Sequence, residues 1–349
     1  MSRFIAFSEP LQPRRLAILL VNLGTPDAAD TASVRRYLAE FLADPRIVEQ
    51  PRWLWWLVLN GIILRTRPQR SARAYAKVWT PAGSPLQVET TALAGRLQAA
   101  VEATLGADVM VRHAMRYGSP SVADTLADLA RSGMQRLLVL PLFPQFSATT
   151  TASVLDAVSM EFRRWRRPPE LRFVMDYYRE PAHIEALARS VERHWQTHGR
   201  GDRLLLSFHG IPQRYVRNGD PYREQSEQTT ALLRTRLGMN ESELLLSYQS
   251  RLGREPWLQP YTDKTLAALP AQGVRRVDTL CPGFAVDCLE TLEEIAMEGR
   301  DTFLEAGGRE FHYIECLNSG DDQVESMQAL ILRHCRGWPE FDSSPDDKS

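Results

Sequence analysis

Residues 203–212 read RLLLSFHGIP, and this stretch decides the fold. Four of the five residues from Leu204 to Phe208 are apolar, with no alternation, and Gly-Ile-Pro then turns the chain. Such a run is the signature of a short strand buried on both faces of a parallel sheet. The same pattern recurs upstream at Leu16–Gly24, Val109–Tyr117, Leu137–Leu142 and Leu171–Tyr178. It recurs downstream at Leu244–Gln249, Val274–Leu280 and Phe311–Leu317. Amphipathic stretches separate these runs, among them Ser121–Ser132, Pro181–His198, Glu224–Gly238 and Asp287–Ala306. Strand and helix in alternation predict an α/β, doubly wound parallel sheet. Right-handed crossovers then carry the functional loops to the carboxyl ends of the strands.

Eight strands divide four and four, with a break at RRPPE (166–170), so two similar α/β domains facing a cleft are expected. The boundaries read as 14–168 for the first domain and 169–318 for the second. A C-terminal helix follows at 319–338, and residues 339–349 read as a disordered acidic tail. The 349 residues are 44% hydrophobic and 24% charged, enough for a sizeable core. Forty-two basic and 43 acidic residues leave a net charge of −1, which does not suggest a nucleic-acid partner. Four cysteines without a CxxC exclude a disulfide scaffold and a zinc ribbon by spacing. The longest nearly apolar run, 53–64, falls short of the ~20 residues that span a bilayer. The N-terminus lacks a signal-peptide layout, so a cytoplasmic protein is expected.

Three constellations carry chemistry. His209 stands at the carboxyl edge of its strand, where an imidazole suits a general base or a metal ligand; a hydrogen-bonded structural role is equally open. The other six histidines are read as showing no HxxxH or HExxH spacing. After Cys281-Pro-Gly-Phe284, the acids Asp287, Glu290, Glu294 and Glu298 fall on one stripe of an α-helix. A solvated helix face explains such a row, and so does a set of oxygen ligands for a divalent ion. Residues 52–77 hold six basic residues, no acid and three of the eight tryptophans. This segment reads as an interfacial element, as one wall of a pocket for a flat carboxylated ligand, or as an ordinary buried helix. No GxGxxG, P-loop or nucleophile-elbow motif is present.

With these residues assembled, the chain resembles the ferrochelatases. The resemblance rests on collinear motifs: LLVNLGTPD (19–27), GSPL (83–86), LPLFPQFSATTTAS (140–153), SFHGIP (207–212), RNGDPY (217–222), SYQSRLGREPWLQP (247–260) and FAVDCLETLEEI (284–295). It implies two flavodoxin-like domains around a porphyrin cleft, and insertion of ferrous iron into protoporphyrin IX as the last step of haem biosynthesis. It assigns His209 and Glu290 as catalytic and metal-site residues, and Asp287 and Glu294 as a relay for protons or metal. Leu23, Arg65, Arg67, Tyr75, Arg116, Tyr117 and Trp257 are implied to bind porphyrin. Many relatives carry a second histidine where this chain has Cys288, which leaves His209 and Glu290 as the minimal site. The lip at 52–77 is implied to touch porphyrin, and 53–64 a membrane surface. Some relatives hold an iron–sulfur cluster on C-terminal cysteines; only Cys335 lies in that tail here, so no cluster and no bound cofactor is expected. A monomer or weak homodimer is expected. A cobalt chelatase acting on an earlier, more acidic tetrapyrrole, a non-catalytic porphyrin carrier and a peripheral membrane protein are the rival readings.

Overall fold

The computed structural model describes residues 4–7, 15–106, 108–251, 253 and 255–338. The eight expected runs form two four-stranded sheets. The first joins β1 (Arg15–Gly24), β2 (Val109–Tyr117), β3 (Met134–Pro141) and β4 (Glu170–Phe173) in the order β2-β1-β3-β4. The second joins β5 (Arg203–His209), β6 (Leu244–Gln249), β7 (Arg276–Leu280) and β8 (Glu310–Ile314) in the order β6-β5-β7-β8. Every neighbouring pair is parallel. The two orders are the same, with the switch in winding direction at β1 in one sheet and β5 in the other.

The helices of the first half are α1 (Thr31–Ala43), α2 (Arg52–Val58), α3 (Leu64–Val78), α4 (Pro85–Leu105), α5 (Val122–Arg131) and α6 (Ser153–Phe162). Those of the second are α7 (Pro181–His198), α8 (Gln213–Arg217), α9 (Tyr222–Leu237), α10 (Thr262–Ala268), α11 (Arg300–Glu305) and α12 (Asp321–Cys335). Three wider π-helical segments interrupt them, at Leu59–Ile63, Ala148–Ala152 and Glu290–Gly299.

β1 explains why the strands show no alternation. Leu16, Ile18 and Leu20 pack on Leu93 and Leu97 of α4 and on Met327 and Ile331 of α12. The intervening Ala17, Leu19 and Val21 pack on Leu126 and Leu129 of α5 and Val154 and Val158 of α6. Successive side chains point to opposite faces, and both faces are covered. β5 repeats the arrangement, with Leu204, Leu206 and Phe208 against α7 and α9 and Leu205 against α10 and α11.

Two expectations change. The break at 168–169 falls too early, because β4 pairs with β3 and so belongs to the first sheet. β4 itself ends at Phe173 rather than Tyr178, since the Tyr177 amide leaves the sheet to donate to the Pro144 carbonyl at 2.9 Å. The expected C-terminal helix is present as α12, and it packs on both halves. Its Leu330, Ile331 and Cys335 enter the first-domain core, while Asp322 and Glu325 pair with Arg189 of α7. The tail expected to be disordered lies outside the described residues.

His183 of α7 is buried beside Tyr177, with ring centroids 5.1 Å apart, and neither ring nitrogen has a hydrogen-bond partner. Burial pushes its imidazole down to about 4. The unfolded chain, titrating near 6.5, binds a proton that the folded chain refuses between those two values. Stability therefore falls as pH drops through that window, by about 2 kcal/mol at pH 5. Urea unfolding at pH 7 and pH 5 checks this: His183→Leu is expected to show a smaller loss between the two than the parent. Equal losses would overturn the assignment.

Candidate active site

β5 delivers His209 to the carboxyl edge of the second sheet, half-buried, opposite Gln249 of β6. The His209 Nδ1 lies 2.7 Å from the Gly210 carbonyl oxygen, which can only accept, so Nδ1 donates and Nε2 keeps its lone pair. That tautomer leaves a free base or metal ligand facing away from the strand. Gly210 is required by close approach: a Cβ there would stand 2.7 Å from the Gln249 carbonyl oxygen and 3.4 Å from Trp257 Cε3. The fold thus brings Trp257 against the His209 turn, and Phe284 sits across from the imidazole with ring centroids 6.5 Å apart.

The acidic row is not one α-helical stripe. Glu290, Glu294 and Glu298 belong to the π-helical segment, and Asp287 precedes it. Sequence periodicity cannot separate a π-helix from an α-helix here, because the difference lies in which carbonyl each amide reaches. Asp287 is turned toward the strand ends of β8 instead. Its carboxylate accepts from the Tyr313 hydroxyl at 2.6 Å, the Thr291 hydroxyl at 2.8 Å and the Asn318 amide at 2.8 Å. Glu294 accepts from the Ser250 amide at 2.7 Å, from the Ser250 hydroxyl, and from Gln249 Nε2 at 3.3 Å. Ser250 has φ 59°, an uncommon left-handed backbone for a residue with a side chain, in the turn that gives its amide to Glu294.

Glu290 faces the lip. The phenols of Tyr75 and Tyr37 are pushed well above their ordinary range, first by burial and then by neighbours that include the Glu290 carboxylate. Cys288 is buried among Leu86, Met115 and Val286, and burial raises its thiol strongly. Among the described residues no group of three or more His, Cys, Asp or Glu side chains converges on a metal position.

The remaining expected residues divide. Leu23 ends β1 and is half-buried. Arg116 and Tyr117 end β2 and turn to Asp44: the Arg116 Nη2 donates to Asp44 Oδ2 at 2.5 Å and the Tyr117 hydroxyl at 2.8 Å. Burial works to raise the Asp44 carboxyl, but Ser153, the Arg46 amide, Tyr117 and Arg116 together hold it below the usual range. Arg67 and Arg65 part company. Arg67 lines a cavity of about 1090 Å³ between α3 and the π-helical segment, whereas Arg65 is exposed and not part of that wall. Arg70, Arg73 and Lys77 share Arg67's wall; Glu293, Glu294 and Glu298 face it, and Lys77 Nζ reaches Glu293 at 2.6 Å.

Sequence reasoning gave no role to Gln249, Ser250, Tyr313, Asn318 or Asp44. The first two lie in a strand end, Tyr248–Arg251, that was visible; the others act only through tertiary contact. It also passed over His194-Trp-Gln-Thr-His198, a four-residue spacing that the helix stacks at 4.5 Å between ring centroids, with His312 at 5.4 Å from each. His194 stands 3.8 Å from Asp278 in that cluster, which lies on α7, β7 and β8 rather than with His209.

A family model described as Ferrochelatase matches residues 15–335. The ferrochelatase of Marinobacter nauticus is 49% identical over 335 residues, covering 96% of this chain and 90% of that protein. That of Methylibium petroleiphilum is 52% identical over 332 residues, covering 95% and 91%. Among solved structures, SirB from Bacillus subtilis with Fe3+ aligns with a TM-score of 0.54 at 10% identity, covering 92% of this chain and 96% of that one. CbiX, described as the terminal enzyme of sirohaem biosynthesis in denitrifying bacteria, aligns at 0.51 and 14%, covering 91% and 98%. At those identities the structural likeness is one of fold alone. The two relatives are about half identical to this chain over nearly its whole length, and on that footing the chain belongs to the ferrochelatase family.

Proposed function

We propose that this chain performs the reaction of its family, inserting ferrous iron into protoporphyrin IX to make protohaem, through His209 and Glu290. The observation that carries the assignment of residues is the His209 tautomer: Nδ1 is spent on the Gly210 carbonyl, and Nε2 is available. The reaction removes two pyrrole protons and forms four Fe–N bonds, with no change in the oxidation state of iron. A neutral imidazole with its Nε2 lone pair free can take up pyrrole protons, and this is the task of His209 Nε2. The Glu290 carboxylate is a hard oxygen ligand that releases iron to four nitrogens more readily than a set of imidazoles or thiolates would. Having only these two ligands suits a metal that is substrate rather than resident. Asp287 and Glu294, each already held by several donors, extend the acidic path behind Glu290 along which protons or metal pass. Leu23, Tyr75 and Trp257 line the ring's pocket. Arg116 and Tyr117, joined to Asp44, stiffen its far edge, and Arg67 of the lip answers a propionate, whereas Arg65 stands exposed on the other side of α3. A macrocycle held at its rim can be bent at its centre, which exposes the nitrogen lone pairs to incoming iron.

No cofactor is assigned. An iron–sulfur cluster takes four cysteine thiolates, and here Cys281 and Cys316 follow β7 and β8, Cys288 packs with Leu86 and Met115, and Cys335 ends α12 in the first-domain core. Trp53 and Trp56 are 71% and 62% exposed, with Leu57 and Ile62 beside them and arginines at 52 and 65. Indole rings and arginines in one exposed patch favour a peripheral seat at a membrane surface, with the body of a cytoplasmic protein above it. Among the described residues no helix is long and apolar enough to cross a bilayer.

Anaerobic incubation with Fe(II) and protoporphyrin, followed by the metallated absorption spectrum, tests the reading. His209→Ala and Glu290→Gln are each expected to lower turnover by about 100-fold or more while retaining the fold. Near-parental turnover in either folded variant would sink the assignment, and tight binding without turnover in the parent would favour a porphyrin carrier. For the surface, Trp53→Ser combined with Trp56→Ser is expected to abolish flotation with vesicles of mixed anionic and neutral phospholipid. Undiminished flotation would remove the membrane seat from this patch.

A further inference from the structure

The side chain of Gln249 is 4% exposed and every polar atom of it is engaged. Its Oε1 accepts from the Ser207 hydroxyl at 2.7 Å, two residues before His209 on β5. Its Nε2 donates to the Glu290 carbonyl oxygen at 2.7 Å and to Glu294 Oε2 at 3.3 Å. Its own carbonyl receives the Gly210 amide at 2.7 Å, directly after His209. One residue therefore touches the strand that bears the imidazole and the helical turn that bears the carboxylate, from both its backbone and its side chain.

The amide has one workable orientation. A carbonyl and a carboxylate on the π-helical side can only accept, so the NH2 group must face them. Ser207 has a second hydroxyl neighbour, Thr262 Oγ1 at 2.9 Å, which in turn lies 2.9 Å from Ser247 Oγ. That buried hydroxyl chain fixes the acceptor end. No other neutral side chain of this length donates at one end and accepts at the other.

We propose that Gln249 is a positioning residue for iron insertion: it sets the separation of His209 and Glu290 by tying the first turn of the π-helical segment to the end of β5. The inference rests on the reading of those two residues as the iron and proton site. Gln249 is assigned no direct contact with iron or porphyrin, since its side chain is spent on Ser207, the Glu290 carbonyl and Glu294. Its contribution is geometric, and supporting residues behind metal ligands commonly account for about 10–100-fold in activity or affinity. A shift of about 1 Å in a reacting group costs on the order of 100-fold. Glutamate at this position would set a carboxylate against Glu294 and the Glu290 carbonyl and push the turn away. Methionine would keep the volume and lose both donors.

The test uses the full-length protein with Fe(II) and protoporphyrin, measuring kcat and the KM for each substrate in Gln249→Met, Gln249→Glu and Gln249→Asn. Gln249→Met and Gln249→Glu are expected to lower kcat by 10–100-fold and to raise the KM for Fe(II), with the KM for porphyrin changed less than about threefold. Gln249→Asn keeps the amide on a shorter stem and is expected to recover part of the lost kcat. Porphyrin binding by fluorescence quenching, together with thermal unfolding, shows whether the variants are folded. A folded Gln249→Met with parental kcat and parental KM for Fe(II) overturns the proposal, and so does a loss confined to thermal stability. His209→Ala and Glu290→Gln run alongside separate the two failures: if they retain turnover the site reading itself fails, whereas loss in those two with none in Gln249→Met refutes the positioning role alone.

Discussion

The second domain hangs on one short contact, the Gly210 amide donating to the Gln249 carbonyl at 2.7 Å where β5 and β6 end together. The approach is so close that a side chain at 210 would collide with that carbonyl. This contact extends the parallel ladder one residue past His209, so the imidazole leaves the sheet from a backbone paired on both sides of it. It also holds Gln249 where its amide can reach the π-helical segment. Strand pairing, the seat of the base and the seat of the carboxylate are therefore one constraint rather than three. The first domain ends β1 and β2 in a comparable way, since a Cβ at Gly24 would lie 1.8 Å from the Tyr117 carbonyl oxygen. There the residues gathered at the edge are Arg116, Tyr117 and Asp44, an ion-paired knot that stiffens the wall.

The strands were legible because they are buried on both faces: when Leu16 to Val21 all face protein, no solvent side imposes a polar alternation, and the apolar run stands out. What remained illegible depended on partners distant in sequence. Nothing within RRPPELRF says that β4 will pair with β3 and so move the domain boundary downstream. Nothing in the amphipathic pattern of α12 says that its apolar face enters the core of the opposite domain, where it straps the halves together. The wide turn from Glu290 to Gly299 is hidden for another reason. Apolar spacing constrains which face is buried, and α- and π-helical turns accept the same spacing over a few residues.

The site was legible in part for similar reasons. His209 could be singled out because a strand end is a local feature, whereas Trp257 entered only through the family resemblance; the fold sets Trp257 against the Gly210 turn. Asp287 could not, since its orientation is set by Tyr313 and Asn318 from the other end of the domain. Arg65 and Arg67 show the limit most simply. Two residues apart on a helix, they point to different sides, so one motif cannot send both into the same pocket. Gln249 was visible as part of a polar strand end, but its importance lies in distances that only the folded chain supplies.

A near-zero net charge conceals local segregation, since the cavity at the lip has two walls of opposite sign. Arg67, Arg70, Arg73 and Lys77 line one side of the cavity, and Glu293, Glu294 and Glu298 the other. Burial, together with Glu293 and Glu294, raises the Glu298 carboxyl, while Lys77 and Arg70 act against that rise. Across the gap the direct ion pair is Lys77 with Glu293, and the Lys77 side chain is half exposed. A pair with so exposed a partner is screened by solvent and adds little to stability. The apolar contact beside it is small, with Leu289 resting on the cluster of Ala72, Tyr75 and Val34. Among the described residues, the lip meets the π-helical segment through this half-exposed pair and a small apolar contact at Leu289, whereas Gln249 holds the first turn of that segment by buried hydrogen bonds. For a protein that must admit a large flat macrocycle and release it metallated, light fastening at the lip and firm fastening at Gln249 are complementary demands, met by the same ten-residue helical segment.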